Sequence, residues 1–483
     1  MILKRLYDQK LAQASYLIGC GQSGEAAVFD PNRDIEQYVD LAAAEGLRIT
    51  HVTETHIHAD FVSGSRELAQ RTGATLYLSD EGGPDWRYRY AGEAGATLLK
   101  DGDGFRVGNI QIDAMHTPGH TPEHMAFMVT DTAAATAPIG IVTGDFVFVG
   151  DVGRPDLLEK AANVQGTMDA AARTLFASLQ KFRKLPDYLQ IWPGHGAGSA
   201  CGKGLSSVPH STVGYERLFN WALAATSEDE FVEQVLAGQP EPPKYFAEMK
   251  RINKEGPRIL NGFGHPPRLP PTRLDALLEE GALVVDTRSA AAYAAAHIPR
   301  TLSIPLNRSF TTWAGWLIPY ISDVYLILDD QESGKALGEA VRDLAMIGLD
   351  RVGGAFGAGA VEAWAERDGG LEVTPQMSVQ DLAQAMKTGK VLVVDVRGRS
   401  EWEAGHIPGV ENIPLGFLGD RADELSRDRQ LVVHCQSGGR SAMGASVLQG
   451  RGFRNVANLV GGFAAWEGAG FEVDREQQLP SHS

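Results

Sequence analysis

Four clusters in the first half of the chain combine histidine and aspartate in a way that suits a metal ion. Each cluster follows a short apolar run, and three of them reach their His or Asp through a Gly or Pro turn. Imidazole and carboxylate groups on loops at strand ends can converge on one cation. We therefore predict a metal site built from Thr55-His-Ile-His-Ala-Asp60, His116-Thr-Pro-Gly-His120, Thr143-Gly-Asp145 and Trp192-Pro-Gly-His195.

Another reactive group lies near the other end of the chain, where Cys435 follows the apolar run Leu431-Val-Val433 and precedes a helical stretch. A short loop of small residues can turn its backbone N–H groups toward an anionic sulfur. The helix N-terminus and Arg440 add positive potential, which lowers a thiol pKa. We predict a nucleophilic thiolate at Cys435, assisted by Arg440 and cradled by Gln436, Ser437, Gly438, Gly439 and Ser441.

The elements that must position these groups are short β-branched runs alternating with helical stretches, which indicates an α/β chain of several domains. A Pro-rich linker at Gly262 to Pro271 separates the metal clusters from the rest. Beyond the linker the chain repeats itself after about 110 residues. We therefore expect three domains, at 1–255, 268–372 and 376–476.

The repeat is easiest to see in its first strand, Leu283-Val-Val-Asp-Thr-Arg288, which returns as Leu392-Val-Val-Asp-Val-Arg397. Both copies predict a small domain with a parallel sheet. In the first copy the loop that matches the cysteine loop, Leu328 to Gly334, has no thiol. Asp329 and Asp330 would make it anionic, so we expect a structural or interfacial role for this copy and read Asp286 and His297 as scaffold.

Composition restricts the class of protein. The hydrophobic fraction of 43% and charged fraction of 22% are typical of globular proteins, and the net charge of −17 disfavours nucleic acid as a partner. With three cysteines the chain has neither a disulfide framework nor a Cys-rich zinc motif. No apolar run is long enough for a membrane span, and the N-terminus lacks a secretory signal. We expect a cytoplasmic protein with no membrane association.

The four clusters, in this order, resemble the metallo-β-lactamase superfamily over about residues 10–220. That resemblance implies an αββα sandwich. Thr55 to Asp60, Thr117 to Thr121 and Thr143 to Asp145 look like its persulfide dioxygenase branch, which holds one ferrous ion with two histidines and an aspartate. The matching positions imply His56, His120 and Asp145 as the ligands of one Fe(II) per chain.

The chain departs from the superfamily's His-x-His-x-Asp-His motif at its last position, which is Phe61. A second metal would lose a nitrogen ligand there, so zinc is the less favoured alternative. His58, Asp60 and His195 are then expected to orient ligands or to form a weak second metal site.

Two residues near these clusters are candidates for substrate contact. Arg154 resembles the family's substrate-side arginine, although a salt-bridged surface residue is an equal alternative. Cys201 follows His195 by six residues and would hold a persulfide in transit or be an inert loop thiol. Cys20 is expected to pack in the core.

Residues 376–475 resemble the rhodanese sulfurtransferases, and residues 272–372 resemble a rhodanese domain without its cysteine. The whole chain resembles the persulfide dioxygenase and sulfurtransferase fusions of bacterial sulfide detoxification. This implies that low-molecular-weight persulfides, O2 and sulfite are substrates and thiosulfate the product. The sequence leaves the thiol carrier open among glutathione, coenzyme A, cysteine and bacillithiol.

Two rival functions remain at this stage. One is a zinc-dependent thioester hydrolase, like glyoxalase II, with an appended sulfurtransferase, and the other is a non-enzymatic sulfur carrier. We also expect a homo-oligomer, with the first repeat copy and the segment from Tyr215 to Lys250 as candidate interfaces.

Overall fold

The computed structural model describes residues 1–157, 166–329, 333–367 and 370–475. Asp330 and the last residue of the third predicted domain, at 476, lie outside these ranges. The chain forms two compact units. The first holds Met1–Phe263 and Leu344–Gly348, and the second holds Gly264–Asp343 and the chain from Leu349 onward.

The first unit contains two six-stranded sheets within the described residues, each with its strands in chain order. The strands of the first sheet are β1 Ile2–Asp8, β2 Gln13–Cys20, β3 Glu25–Phe29, β4 Arg48–Thr53, β5 Thr75–Ser79 and β6 Thr97–Leu99. The strands of the second are β7 Gly104–Val107, β8 Ile110–His116, β9 Met125–Asp131, β10 Gly140–Gly144, β11 Gln190–Pro193 and β12 Ser211–Thr212.

Helices cover the outer faces of these sheets. They are α1 Glu36–Ala44, α2 Ser65–Thr72, α3 Met168–Phe182, α4 Val213–Phe219, α5 Trp221–Ala224, α6 Glu228–Leu236 and α7 Tyr245–Glu255. In α3 the buried Leu175, Leu179 and Phe182 recur at helical spacing and pack on the second sheet with Ile141.

The layering follows from β2, whose eight residues are all buried. Successive side chains of a strand point to opposite faces. Tyr16 and Ile18 therefore pack between the sheets, and Cys20 lies in the same cluster. Leu17 faces the other way and packs with Tyr38 of α1. The result is an αββα sandwich.

The second unit contains two parallel sheets among the residues described, with spatial orders β14-β13-β15-β16 and β17-β21-β20-β18-β19. Their strands are β13 Leu283–Asp286, β14 Leu302–Ser303, β15 Val324–Ile327, β16 Val352–Phe356, β17 Gln376–Met377, β18 Val391–Asp395, β19 Glu411–Asn412, β20 Gln430–His434 and β21 Val456–Leu459.

Helices connect or flank these parallel strands, since parallel pairing needs crossover connections. They are α8 Leu274–Glu279, α9 Ala290–Ala295, α10 Phe310–Leu317, α11 Ser333–Met346, α12 Gly359–Ala365, α13 Val379–Lys387, α14 Arg399–Ala404, α15 Leu415–Leu418, α16 Gly439–Gly450 and α17 Gly462–Gly468. Two small α/β sheets thus follow the sandwich, which confirms the predicted fold class.

Strand register aligns the two copies residue by residue. Asp286 pairs with Ile327 in the first copy, and Asp395 pairs with His434 in the second. The residue after each partner is therefore equivalent, so Leu328 occupies the place of Cys435. Leu328 is fully buried.

No helix in the described part of the chain is both long and apolar enough to cross a membrane.

Candidate metal centre and thiolate site

Three side chains from distant parts of the first unit meet in one buried cluster. His56 lies on the loop after β4, His120 on the loop after β8, and Asp145 directly after β10. Their candidate ligand atoms all lie within 4.8 Å of one another. Asp145 Oδ2 is 3.9 Å from His56 Nε2 and 3.5 Å from His120 Nε2. The structure thus brings together the three predicted ligands.

Hydrogen bonds hold both histidines with Nε2 turned to the cluster. The Thr55 hydroxyl donates its proton to Asp30 Oδ2 at 2.9 Å. His56 Nδ1 lies 2.9 Å from the Thr55 hydroxyl oxygen, so Nδ1 must be the donor to that oxygen. His120 Nδ1 lies 3.0 Å from the Arg154 carbonyl, which can only accept. With the proton on Nδ1, each Nε2 carries a lone pair for a metal.

The two histidines of the cluster do not offset the negative charge of Asp145, because burial keeps both imidazoles neutral. Burial, and then the neighbouring imidazole of His58, lower the pKa of His56 well below its ordinary value. Burial also lowers the pKa of His120, against the opposing effect of Asp145. Neither Asp145 oxygen has a hydrogen-bond partner among the described residues. A buried carboxylate beside two neutral imidazoles fits a divalent cation.

Beside this cluster lies a second group, Asp60, His195 and Cys201, whose ligand atoms also lie within 4.8 Å of one another. His195 Nδ1 donates to the Ala12 carbonyl at 2.9 Å, and Nε2 lies 3.2 Å from Asp60 Oδ2 and 3.4 Å from Asp145 Oδ1. Asp145 therefore faces both groups. Sequence reasoning did not group Cys201 with the predicted second site.

The Cys201 thiol is buried next to two carboxylates. Burial, and then the charges of Asp60 and Asp145, raise the pKa of this thiol well above its ordinary value. Without a cation nearby Cys201 is therefore a thiol rather than a thiolate.

His58 lies beside His56, with 4.2 Å between the ring centroids, but belongs to neither group of candidate ligands. Its Nε2 lies 3.1 Å from Asp30 Oδ1, and its ring packs on Phe61 with 4.4 Å between centroids. Burial lowers the pKa of His58, but Asp30 outweighs it and raises the value to about 9. Asn253 Nδ2 donates to the carbonyls of His58 and Phe61, which fixes this loop.

Two further residues that support the site were missed from the sequence. Asp30, after β3, accepts hydrogen bonds from the Thr55 backbone at 2.6 Å and from its hydroxyl. His124 Nε2 accepts from the Asp145 backbone at 3.2 Å, and its Nδ1 contacts the Thr117 hydroxyl. The one available signal for His124 was its position four residues after His120.

Arg154 is fully buried and forms several hydrogen bonds. Its guanidinium makes two contacts of 2.7 and 2.6 Å with Asp156 and donates to the carbonyls of Ala200 and Pro240. Together with its own carbonyl, which accepts from His120, Arg154 ties a metal ligand to the loop that carries Cys201. A direct substrate contact by Arg154 stays a prediction.

In the second unit, Cys435 lies between β20 and α16 with 1% of its surface exposed. The Gly438 N–H donates to its sulfur at 3.1 Å, and the Ser441 hydroxyl does so at 3.5 Å. Burial raises the pKa of Cys435, but these donors and the Ser437 N–H outweigh it, so the pKa lies below the ordinary value. The loop can therefore hold an anionic sulfur.

Glycine is required at one close approach to this loop. A Cβ on Gly462 would lie 2.3 Å from the Cys435 carbonyl oxygen, and its φ is +58°. This lets the start of α17 approach, so that the Phe463 N–H donates to that carbonyl at 2.7 Å.

Ion pairs brace the rest of the cradle. Arg440 makes contacts of 2.6 and 2.7 Å with Glu401. Gln436 accepts from Arg397 at 3.2 Å, and Arg397 pairs with the buried Asp395. Gln436, Ser437 and Gly439 are exposed and form the open side of the loop.

Two family models match this chain, one over the region of the metal cluster and one over the region of Cys435. The model of the metallo-beta-lactamase superfamily matches residues 9–195, and that of the rhodanese-like domain matches residues 378–469.

Individual proteins are similar to parts of the chain. The chain is 42% identical to a solved metallo-beta-lactamase from Staphylococcus aureus subsp. aureus COL, covering 74% of this chain and 99% of that one with a TM-score of 0.68. It is 29% identical over 222 residues to a probable metallo-hydrolase of Burkholderia pseudomallei (strain 1710b), covering 40% of this chain and 72% of that protein. It is 28% identical over 238 residues to the mitochondrial persulfide dioxygenase of Bos taurus, covering 48% and 80%.

The S. aureus protein is matched over nearly its whole length, and the rhodanese-like match falls on the sheet that carries Cys435. The chain therefore belongs to the metallo-β-lactamase superfamily, with a rhodanese-like domain fused behind the metallo-β-lactamase domain.

Proposed function

We propose that the chain is a persulfide dioxygenase coupled to a sulfurtransferase. The observation that supports this most directly is the pairing, in one chain, of a buried two-histidine, one-aspartate cluster with a cysteine in an N–H cradle. The likeness to a persulfide dioxygenase over 238 residues supports the first activity, and the rhodanese-like domain supports the second.

His56, His120 and Asp145 would hold one ferrous ion, because two imidazoles and one carboxylate are the donor set of ferrous oxygenases. When bound, the iron supplies O2 activation and a Lewis acid for the persulfide sulfur. The chain's own contribution is to keep both Nε2 atoms turned inward through Thr55 and Arg154. Phe61 replaces a nitrogen ligand with a buried apolar ring, which disfavours a second metal.

The proposed chemistry balances. One persulfide, O2 and water give the free thiol, sulfite and protons. At the other site the Cys435 thiolate attacks the outer sulfur of a second persulfide, the S–S bond to the carrier breaks, and the carrier leaves as a thiol. Sulfite then attacks the sulfur held on Cys435, which forms thiosulfate and restores the thiolate.

O2 uptake and sulfur products should be measured with a synthetic persulfide, using iron-loaded wild type and Cys435→Ser. We expect rapid uptake in both, with thiosulfate in the wild type and sulfite in the variant. No uptake with iron present would overturn the dioxygenase assignment. Stable persulfide on Cys435 without uptake or thiosulfate would favour the sulfur carrier instead.

The group Asp60, His195 and Cys201 supports a second candidate, a zinc-dependent thioester hydrolase, because it could hold another metal next to the first. The likeness to a probable metallo-hydrolase favours it as well. Metal analysis separates the two functions. One iron per chain supports the dioxygenase, whereas two zinc ions with thioester hydrolysis support the hydrolase.

A further inference from the structure

The first unit contains a short segment that belongs by sequence to the first repeat copy. Leu344–Gly348, which includes the C-terminal end of α11, is part of the same compact unit as Met1–Phe263. Its residues from Leu344 to Ile347 are all buried. We call Leu344–Gly348 the helix-end segment. The unit that holds the metal cluster is therefore completed by residues from beyond the linker.

The end of α11 takes hydrogen-bond donors from the rest of the first unit. The last four carbonyl groups of an α-helix have no partner within the helix. The Met346 carbonyl accepts from the Val62 N–H at 2.8 Å, and the Ala345 carbonyl accepts from the Arg33 guanidinium at 3.0 Å. An arginine side chain commonly caps a helix C-terminus in this way. The helix end is thus fixed by two specific donors.

One of these donors, Val62, belongs to the loop between β4 and α2, residues 54–64, which we call the metal loop. This loop carries His56 of the first group of candidate ligands and Asp60 of the second group. Val62 follows Asp60 by two residues. A hydrogen bond from Val62 to the helix-end segment therefore restrains the backbone that carries Asp60.

The helix α7 holds the same loop through Asn253. The Asn253 side chain donates to the carbonyls of His58 and Phe61 at 2.8 and 2.7 Å. Its oxygen accepts from the Ser63 N–H at 2.9 Å. These three bonds, together with the bond from Val62 to the helix-end segment, fix the backbone of the second half of the metal loop.

The helix-end segment packs against both α7 and the metal loop, and Gly348 shows how closely. A Cβ on Gly348 would lie 2.9 Å from Ile252 and 3.2 Å from Met249, which both belong to α7. It would also lie 3.3 Å from Val62 of the metal loop. The φ of Gly348 is +77°, a conformation that favours glycine. A larger side chain at this position must therefore push on the loop and on α7 together.

The other donor, Arg33, ties the segment to a third support of the metal loop. Arg33 follows β3 closely, as does Asp30, which accepts hydrogen bonds from Thr55. The Gly64 N–H donates to the Pro31 carbonyl at 2.8 Å, so this stretch runs beside the end of the metal loop. The helix-end segment thus contacts the loop itself and two elements that hold it.

We propose that the helix-end segment is a positioning element of the metal site, which sets the backbone of the metal loop and so the placing of His56 and Asp60. The first repeat copy, although it has no nucleophile, then contributes to the metal chemistry of the first unit. This inference rests on the proposed iron site. Displacing the segment should let the loop ligands move apart and should weaken iron binding.

The first test measures Fe(II) affinity in the full-length protein by competition with a chelator, at a temperature where circular dichroism shows each variant folded. Gly348→Val should weaken iron binding about 10-fold, because supports behind metal ligands contribute about 10- to 100-fold to metal affinity. Gly370→Val is the matched control. Gly370 lies in the same repeat copy with a φ of +63°, but a Cβ there meets no atom of the described residues within 4 Å.

Arg33→Gln is a milder change, and it decides the question if Gly348→Val does not fold. It removes the guanidinium that binds the Ala345 carbonyl, so we expect iron affinity to fall about 2- to 10-fold, as for the loss of one hydrogen bond. Arg33→Lys, which keeps a cationic donor, should regain part of that affinity.

Hydrogen exchange shows whether the loop itself responds. The peptide that contains Val62 should exchange faster in Gly348→Val and Arg33→Gln than in the wild type or the control, because the Val62 N–H donates to the segment. A lower melting temperature with unchanged iron affinity and unchanged exchange of this peptide would overturn the proposal, since the segment would then only stabilise the fold.

Iron binding and O2 uptake are measured separately, so this inference and the proposed function can fail independently. If the variants lose iron affinity but no protein consumes O2 with a persulfide, the dioxygenase function fails and the positioning role stands. If the wild type consumes O2 and Gly348→Val keeps its iron affinity and kcat, the positioning role fails alone. Anaerobic transfer from thiosulfate to cyanide through Cys435 should be unchanged in each variant, and a parallel loss there would contradict a local role.

Discussion

The metal cluster and the cysteine loop are built for opposite charges. Around Asp145, neutral imidazoles and a carboxylate without hydrogen-bond donors leave a negative site that a cation would complete. Around Cys435, N–H and O–H donors converge on one sulfur and stabilise an anion. The chain thus separates a metal-dependent chemistry from a thiolate chemistry, and each site should keep its own activity when the other is disabled.

The two sites also differ in how they are assembled. The metal cluster combines residues between Asp30 and Cys201 that only the sandwich brings together. The cysteine site is one continuous loop from Cys435 to Ser441 between a strand and a helix, and contacts from Arg397, Glu401 and Phe463 brace it. Substitutions can therefore test each site separately.

Asp145→Asn should have the largest effect, because it removes the anionic ligand that faces both groups. We expect loss of stoichiometric iron and of O2 uptake by a factor on the order of 10³ or more. Anaerobic transfer through Cys435 should be retained. Asp40→Asn, at an exposed aspartate, is the control. Retained iron in Asp145→Asn would refute the ligand assignment.

Asp30→Asn tests the support behind the metal cluster. The amide cannot accept in the same way from Thr55, whose hydroxyl orients His56. Metal affinity, measured by competition with a chelator, should fall by about 10- to 100-fold. An unchanged affinity would show that the histidine needs no such orientation.

Ser441→Ala removes one donor from the Cys435 sulfur and should have a smaller effect. The pKa of Cys435 lies below the ordinary value, so alkylation should stay fast as the pH falls and slow only below that pKa. In the variant this decline should begin at higher pH, with a rate near neutrality roughly 2- to 10-fold lower. Ser437→Ala, which leaves its backbone donor in place, is the comparison.

Leu328→Cys should have the smallest effect. It places a thiol at the position equivalent to Cys435 but without the same cradle sequence, since Asp329 follows directly. We expect no transfer above background in Cys435→Ser/Leu328→Cys. Restored transfer would mean that the thiol position matters more than its donors.

Much of this architecture could be predicted from the sequence. The repeat, the linker and the alternation of strands and helices predicted the α/β layers that the structure has, because they depend on periodicity and chain-local propensity. The cysteine loop was also readable, since Cys435, Gly438 and Ser441 are close in the chain.

Other features depend on contacts between residues far apart in the chain. The short spacing from His195 placed Cys201 near the clusters but did not show that it would group with Asp60, and nothing local indicated that Asp30 would orient Thr55. A salt bridge was one of the two alternatives for Arg154, but its placement on the surface was wrong, because Arg154 is fully buried and pairs with Asp156.

By itself, the sequence determined which residue types are available and where loops interrupt the strands, because turn chemistry and side-chain alternation are local. Only the tertiary structure decided which of these residues meet. Sheet register placed Leu328 at the position equivalent to Cys435, and packing of the two copies formed a cavity lined by residues of both. Contacts of this kind join residues that are far apart in the chain, so no short stretch of sequence reveals them.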